Sequence, residues 1–201
     1  HAASHSASGI ASAHDRVSYK HEIKAEDIIP DDHPRSLFVD RLDGMFISYH
    51  SKAAALENNH FQSTNTEYPI HKQFVLDANR LQVIYHFSAK MAHVFITEIN
   101  LAMPSCDGVG ARYRHQGEIL GGLGQALELK NIDAIALDDD TLGGNVALTA
   151  SSPVTLRAHP HFSVSQSESG FEKIMQAVKI TLIWTFVTNQ QKICLEFKKR
   201  D

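Results

Sequence analysis

Residues 93–124 read HVFITEINLAMPSCDGVGARYRHQGEILGGLG, and their alternation points to the fold. Val94, Ile96, Glu98 and Asn100 fall on one side of an extended chain; Phe95, Thr97, Ile99 and Leu101 fall on the other. The second set is almost purely apolar, so the segment reads as a strand with that face toward a core. Burying Glu98 and Asn100 without partners is costly, so they face solvent, a polar groove or a satisfied network. Pro104 lacks a ladder donor and ends the strand. The loop PSCDGVG at 104–110 is built of turn formers. A second short strand follows at 111–115, and Gly121, Gly122 and Gly124 close the passage.

Outward from this stretch the same period recurs. Leu81, Val83, Tyr85 and Phe87 alternate inward within 81–88. Residues 173–186 form the longest strand candidate, with Val178, Ile180, Leu182, Trp184 and Phe186 on one face. Ile193, Leu195 and Phe197 are the last inward set. Shorter strands are predicted at 68–71, 73–76, 125–129, 134–137, 145–150, 154–158 and 161–165, with turns at 77–79, 138–144 and 189–190. Residues 25–29 suit a short helix, 35–41 either a helical turn or a strand, and 51–66 a polar loop with or without a helical turn. Many strands, polar turns and few helices predict an all-β antiparallel β-sandwich.

The composition narrows the function. The chain has 201 residues and a formal net charge of −4, with its basic residues scattered. No electrostatic footprint for nucleic acid is expected, and no apolar run is long enough for a helix to span a bilayer. Residues 1–13 read as a flexible Ala/Ser/His-rich segment, the cut end of a longer chain, and 14–201 as one β-sandwich domain. Two cysteines, Cys106 and Cys194, are too few for a disulfide framework and are expected as free thiols in a cytoplasmic protein.

Three blocks carry a family resemblance. They are FITEINLAMPSCDG with GARY just after it; LDDDTLGGNVALTASSPVTLRAHPHFSVSQSESGFEKIMQAVKITLIW at 137–184; and SAHDRV at 12–17 with PRSLFVDRL at 34–42. Together they resemble the C-terminal domain of the glycoside hydrolase family 57 α-amylases and 4-α-glucanotransferases. The resemblance implies a galactose mutarotase-like supersandwich that follows an N-terminal catalytic barrel and acts with it on α-1,4-glucans. It also implies that the two carboxylates of the retaining mechanism lie in that barrel, so no catalytic residue is assigned here. The barrel is the expected partner and α-glucan a candidate ligand.

Glu98, Arg112, Gln166 and Glu168 are the polar candidates for lining a glucan groove; the opposing reading is a buried network that fixes the sandwich. Trp184 is a candidate platform for a glucose ring, although its strand face predicts core. Tyr49, Tyr85 and Tyr113 are weaker aromatic candidates. His159 and His161 share a strand face and form the candidate metal pair, with Glu168 as a further ligand; a hydrogen-bonded edge pair is the simpler reading. Asp138, Asp139 and Asp140 are a candidate Ca²⁺ site or a solvated turn. A stand-alone mutarotase-like or cupin-like sugar-modifying enzyme, using one of these histidines and Glu168 for acid/base work, is the alternative reading.

Overall fold

The structure is a computed structural model describing residues 22–51, 59–88, 93–167, 170–185, 187 and 189–200. The segment 1–13, Glu168 and Phe186 lie outside the described residues. The chain divides into two compact units. The smaller comprises residues 1–30 and 162–174. Its described part holds a 3₁₀ turn at Ala25–Ile28 and an ion pair of 2.6 Å between Lys173 and Asp27. Lys173 Nζ also lies 5.6 Å from the Phe162 ring centroid.

The larger unit is an antiparallel β-sandwich. Its strands, with two extending into the smaller unit's residues, are β1 (Leu37–Leu42), β2 (Met45–Phe46), β3 (Tyr49–Ser51), β4 (His60–Ser63), β5 (Ile70–Asp77), β6 (Arg80–Phe87), β7 (Phe95–Leu101), β8 (Ala111–His115), β9 (Glu118–Gly122), β10 (Leu127–Asp139), β11 (Gly144–Ser167), β12 (Gly170–Trp184) and β13 (Gln190–Lys199). The order along the main path is β2-β1-β7-β12-β11-β13-β6-β5-β4-β3, with β10, β8 and β9 branching from β11.

Alternation explains why this path folds over itself. Phe95, Thr97 and Ile99 of β7 and Val178, Ile180, Leu182 and Trp184 of β12 are buried. So are Val83, Tyr85 and Phe87 of β6 and Ile193 and Leu195 of β13. Three strands separate β7 from β6 along the order, yet Phe95 meets Tyr85 and Phe87 at ring-centroid distances of 5.0 and 5.1 Å. The two sets therefore face each other across one apolar layer, as a sandwich requires. Among the described residues no helix is long and apolar enough to cross a membrane.

Three sequence expectations are corrected. Residues 60–63, expected as loop, form β4, whose polar letters HFQS hide a strand that is paired on both sides, by β3 and β5. The glycine-rich close of the passage contains β9, paired with β8 through a turn at Gln116 and Gly117, both with positive φ. The segments predicted within 125–137 and 145–165 are two long strands, not five short ones. The breaks read there are irregularities of a continuous ladder. Asn131 has φ 58°, and the register shifts between Leu129 and Ile132 and again before Ala134. Pro153 lies opposite that second shift, where its missing N–H costs no ladder bond.

A candidate polar site around Glu98 and two further carboxylate clusters

Glu98 sits on the face of β7 opposite the core, yet it is buried. The segment preceding β1 covers it. His33 Nε2 lies 3.2 Å from Glu98 Oε1, and Asn100 Nδ2 donates to the same oxygen at 3.3 Å. His33 Nδ1 contacts the exposed Asp32 carboxylate, and this contact holds Asp32 below the ordinary carboxylate range. Asn100 also donates to the Ser36 carbonyl at 3.0 Å, tying the segment down. Of the environments open to Glu98 in the sequence, a hydrogen-bonded network is the one observed, with Asn100 Oδ1 buried there without a partner.

The surroundings are mixed in character. The Phe46 ring lies 4.8 Å from His33 and 4.3 Å from the Arg41 guanidinium carbon. Arg35 forms an ion pair with Asp31, whose carboxyl it holds low. His161 belongs to the same electrostatic neighbourhood. Its pKa is lowered by burial and by the charges of Arg35 and Lys179, against the opposing pull of Asp31. His159 instead is exposed and lines a shallow groove with the ion-paired Arg157 and Glu128. The two histidines thus have different polar neighbours. Among the described residues no group of three or more His, Cys, Asp or Glu side chains is placed to hold a metal.

The other predicted positions disperse. Gln166 is exposed and belongs to the smaller unit. Trp184 is only 2% exposed; its Nε1 donates to Ser152 Oγ at 3.1 Å, and its ring lies 5.8 Å from Phe95. The indole is a core residue with no open face for a sugar. Tyr85 and Tyr113 are likewise buried. Arg112, on β8, donates to Asp140 Oδ1 at 2.9 Å.

That contact belongs to a cluster built from the three consecutive aspartates. Asp138 accepts from Arg114 Nε at 2.9 Å. Asp139 accepts from Ser105 N at 2.8 Å, Ser105 Oγ at 2.7 Å and Leu142 N at 2.9 Å. Asp140 accepts from Arg112 and also from Arg200 at 2.6 Å. Instead of converging on a cation, these carboxylates fasten the 103–110 loop, β8 and the end of β13 to one turn. Gly144 completes it: a Cβ there would come within 2.3 Å of the Lys198 carbonyl, so only glycine allows this approach.

Sequence reasoning missed the most heavily bonded carboxylate. Asp40 is buried and accepts from Tyr49 at 2.8 Å, Lys72 at 2.8 Å, Tyr85 at 2.9 Å and Thr97 at 2.6 Å. Lys72 Nζ also donates to the Phe38 carbonyl and lies within 5.8 Å of the ring centroids of Phe38, Tyr49, Phe74 and Tyr85. A signal was available. Asp40 falls between the inward residues Phe38 and Leu42, and Lys72 two places after the inward Ile70. Opposite charges at core positions of two strands call for each other.

Comparison with known proteins now adds to this geometry. The family described as "Alpha-amylase/4-alpha-glucanotransferase, C-terminal" matches residues 1–69 and 44–198. Among solved structures, the 4-α-glucanotransferase from Thermococcus litoralis superposes with a TM-score of 0.54 at 16% identity, over 90% of this chain and 30% of that one. The chain therefore spans under a third of that enzyme's length. The Slr1438 protein from Synechocystis sp. PCC 6803 gives a TM-score of 0.47 at 8% identity, over 76% of this chain and 66% of that one. A Paenibacillus xanthan lyase gives 0.43 at 10% identity, over 76% and 16%. No curated protein sequence matches the chain. With the family match running through nearly all of its strands, the chain belongs to the α-amylase/4-α-glucanotransferase C-terminal domain family.

Proposed function

We propose that this chain is the non-catalytic C-terminal β-sandwich domain of an enzyme acting on α-1,4-glucans, and that it packs on a catalytic barrel, completes one wall of the substrate cleft and helps to hold glucan. The family match carries this reading. The state of the carboxylates in these three clusters supports the non-catalytic role. A retaining glycosidase needs one carboxylate free to attack and another free to pass a proton. Asp40, Glu98, Asp138, Asp139 and Asp140 are all engaged by donors or cations of this chain. Exposed apolar side chains at Leu37, Met45 and Phe46, at the β1–β2 end of the strand order, support a docking role. The two free cysteines fit a reducing, cytoplasmic setting.

The experiment is to produce the parent enzyme's catalytic domain separately and mix it with this chain. Co-elution as a one-to-one complex, lost when Met45 and Phe46 are both changed to Ser, is the expected result. Independent elution at high concentration would overturn the docking role.

A further inference from the structure

The 105–110 loop, β8 and β9 line an open groove of about 540 Å³. We propose that this groove is an oligosaccharide subsite that takes a pyranose segment of an α-glucan. The inference rests on the reading of the chain as part of a glucan-active enzyme, and it names the place where sugar touches it.

The walls are unusual in being stripped of side chains. Gly108, Gly121, Gly122 and Gly124 all line the groove, so a ligand can approach the backbone closely. Two of these positions call for glycine. A Cβ at Gly124 would meet Asp107 Cβ at 2.7 Å, and Gly121 has φ 153°, where other side chains are strained. Strand β9 pairs only with β8, so the peptide groups along its outer edge are not used by the sheet.

What remains in the lining is chemically selective. Asp107, Arg112 and Gln125 contribute a carboxylate, a guanidinium and an amide, planar groups able to bridge neighbouring hydroxyls. Arg112 is held in position by Asp140, and its Nε is buried without a hydrogen-bond partner. Val109, 98% exposed, and Ile119 supply apolar surface for the C–H face of a sugar ring. The charge pattern argues against a phosphorylated ligand. Asp140 is shared between Arg112 and Arg200, and Asp107 supplies a second carboxylate in the wall, so the charges balance. A neutral polyhydroxylated ligand fits this balance, and the volume lies within the roughly 300–1,000 Å³ of ordinary ligand sites.

The test is calorimetric titration of the 201-residue chain with maltoheptaose. The wild type is compared with Arg112→Ala, which removes the guanidinium, and with Gly122→Val, which fills the groove. A Cβ at Gly122 has an ordinary 3.6 Å contact with the Ala111 carbonyl, so the second variant should fold if the first does not. Leu76→Ser, on the β5–β6 hairpin, is the control. Saturable binding that weakens at least about tenfold in both groove variants, a loss of about 1.4 kcal/mol, and is kept in the control is expected. Wild-type binding that survives both groove changes would put the sugar elsewhere and overturn the subsite. Absence of wild-type binding would also overturn it, while association with the catalytic domain decides the docking role independently.

Discussion

Lys72 Nζ lies 2.8 Å from Asp40 Oδ2, and both side chains are buried. Removing two charges from water costs several kcal/mol per ion, and the pair persists because its geometry is complete. Three hydroxyl donors satisfy Asp40 beside the lysine, while a carbonyl and four aromatic faces surround the ammonium. Asp40→Ala would strand the ammonium and should cost about 3–5 kcal/mol in urea unfolding. The double variant Asp40→Asn with Lys72→Met should lose less than the sum of the two single changes. Simple additivity would show that the residues do not act as a pair.

The same network sets the alkaline limit. Burial first, then the Asp40 charge, pushes the Tyr85 and Tyr49 hydroxyls well above their ordinary value of 10.0. Burial alone pushes Tyr113 up to about 12. A folded pKa above the unfolded one gives stability that is complete below the unfolded value. It is lost as pH rises from about 10 through the folded value, because the unfolded chain ionises first. Stability should therefore fall steadily above pH 10, and tyrosinate absorbance from Tyr49 and Tyr85 should appear only with unfolding. Early, reversible ionisation of all the tyrosines in the folded chain would contradict the burial of this network.

Asp139 governs the acid side of the loop cluster. Burial opposes its charge, but hydrogen bonds from Ser105, Leu142 and Thr141 outweigh that cost and hold its pKa below the ordinary value. For Asp140 the hydrogen bond from Arg200 is the main cause of a similar lowering. Both contribute stability that is present above the unfolded carboxylate range and lost as pH falls through the lower folded values. Asp139→Ala leaves Ser105 N and Leu142 N without their acceptor and should cost about 1–3 kcal/mol. Amide exchange should quicken at 105–110 first, and unchanged exchange there would count against the cluster as the loop's anchor.

Trp184 is the chain's only tryptophan. Its emission should be blue-shifted, resistant to a soluble quencher, and unmoved by added maltoheptaose. Trp184→Phe removes the bond to Ser152 and part of a packed ring, so a loss of about 1–3 kcal/mol is expected. Glucan-dependent quenching would return Trp184 to the surface and contradict its place in the core.

The strands that carry one clean period were legible. In β6, β7 and β12 the apolar letters alternate because one face is core, and Val83, Phe95 and Ile180 are buried where the alternation put them. The short, polar β4, paired on both sides by β3 and β5, and the glycine-rich β9 were not, because neither carries a run of alternating apolar residues. The gaps left between the predicted strands at 130–133 and 151–153 hold Asn131 and Pro153; sequence gives no register, and register alone tells a bulge from a turn. The site was legible as residue types but not as partners. Glu98 signalled an outward carboxylate within an ordered strand, yet its partner His33 lies 65 positions away and no local pattern joins them. The aspartates at 138–140 could suggest a cation, but only the fold brings Arg112, Arg114 and Arg200 to them.

Product analysis after incubating the purified 201-residue chain with maltoheptaose is the most direct test of the non-catalytic role. The account predicts full recovery of maltoheptaose, with no glucose released and no longer glucans formed, while the same assay on the chain joined to its catalytic domain gives products. Shorter or longer glucans made by this chain alone, and in proportion to its concentration, would contradict it.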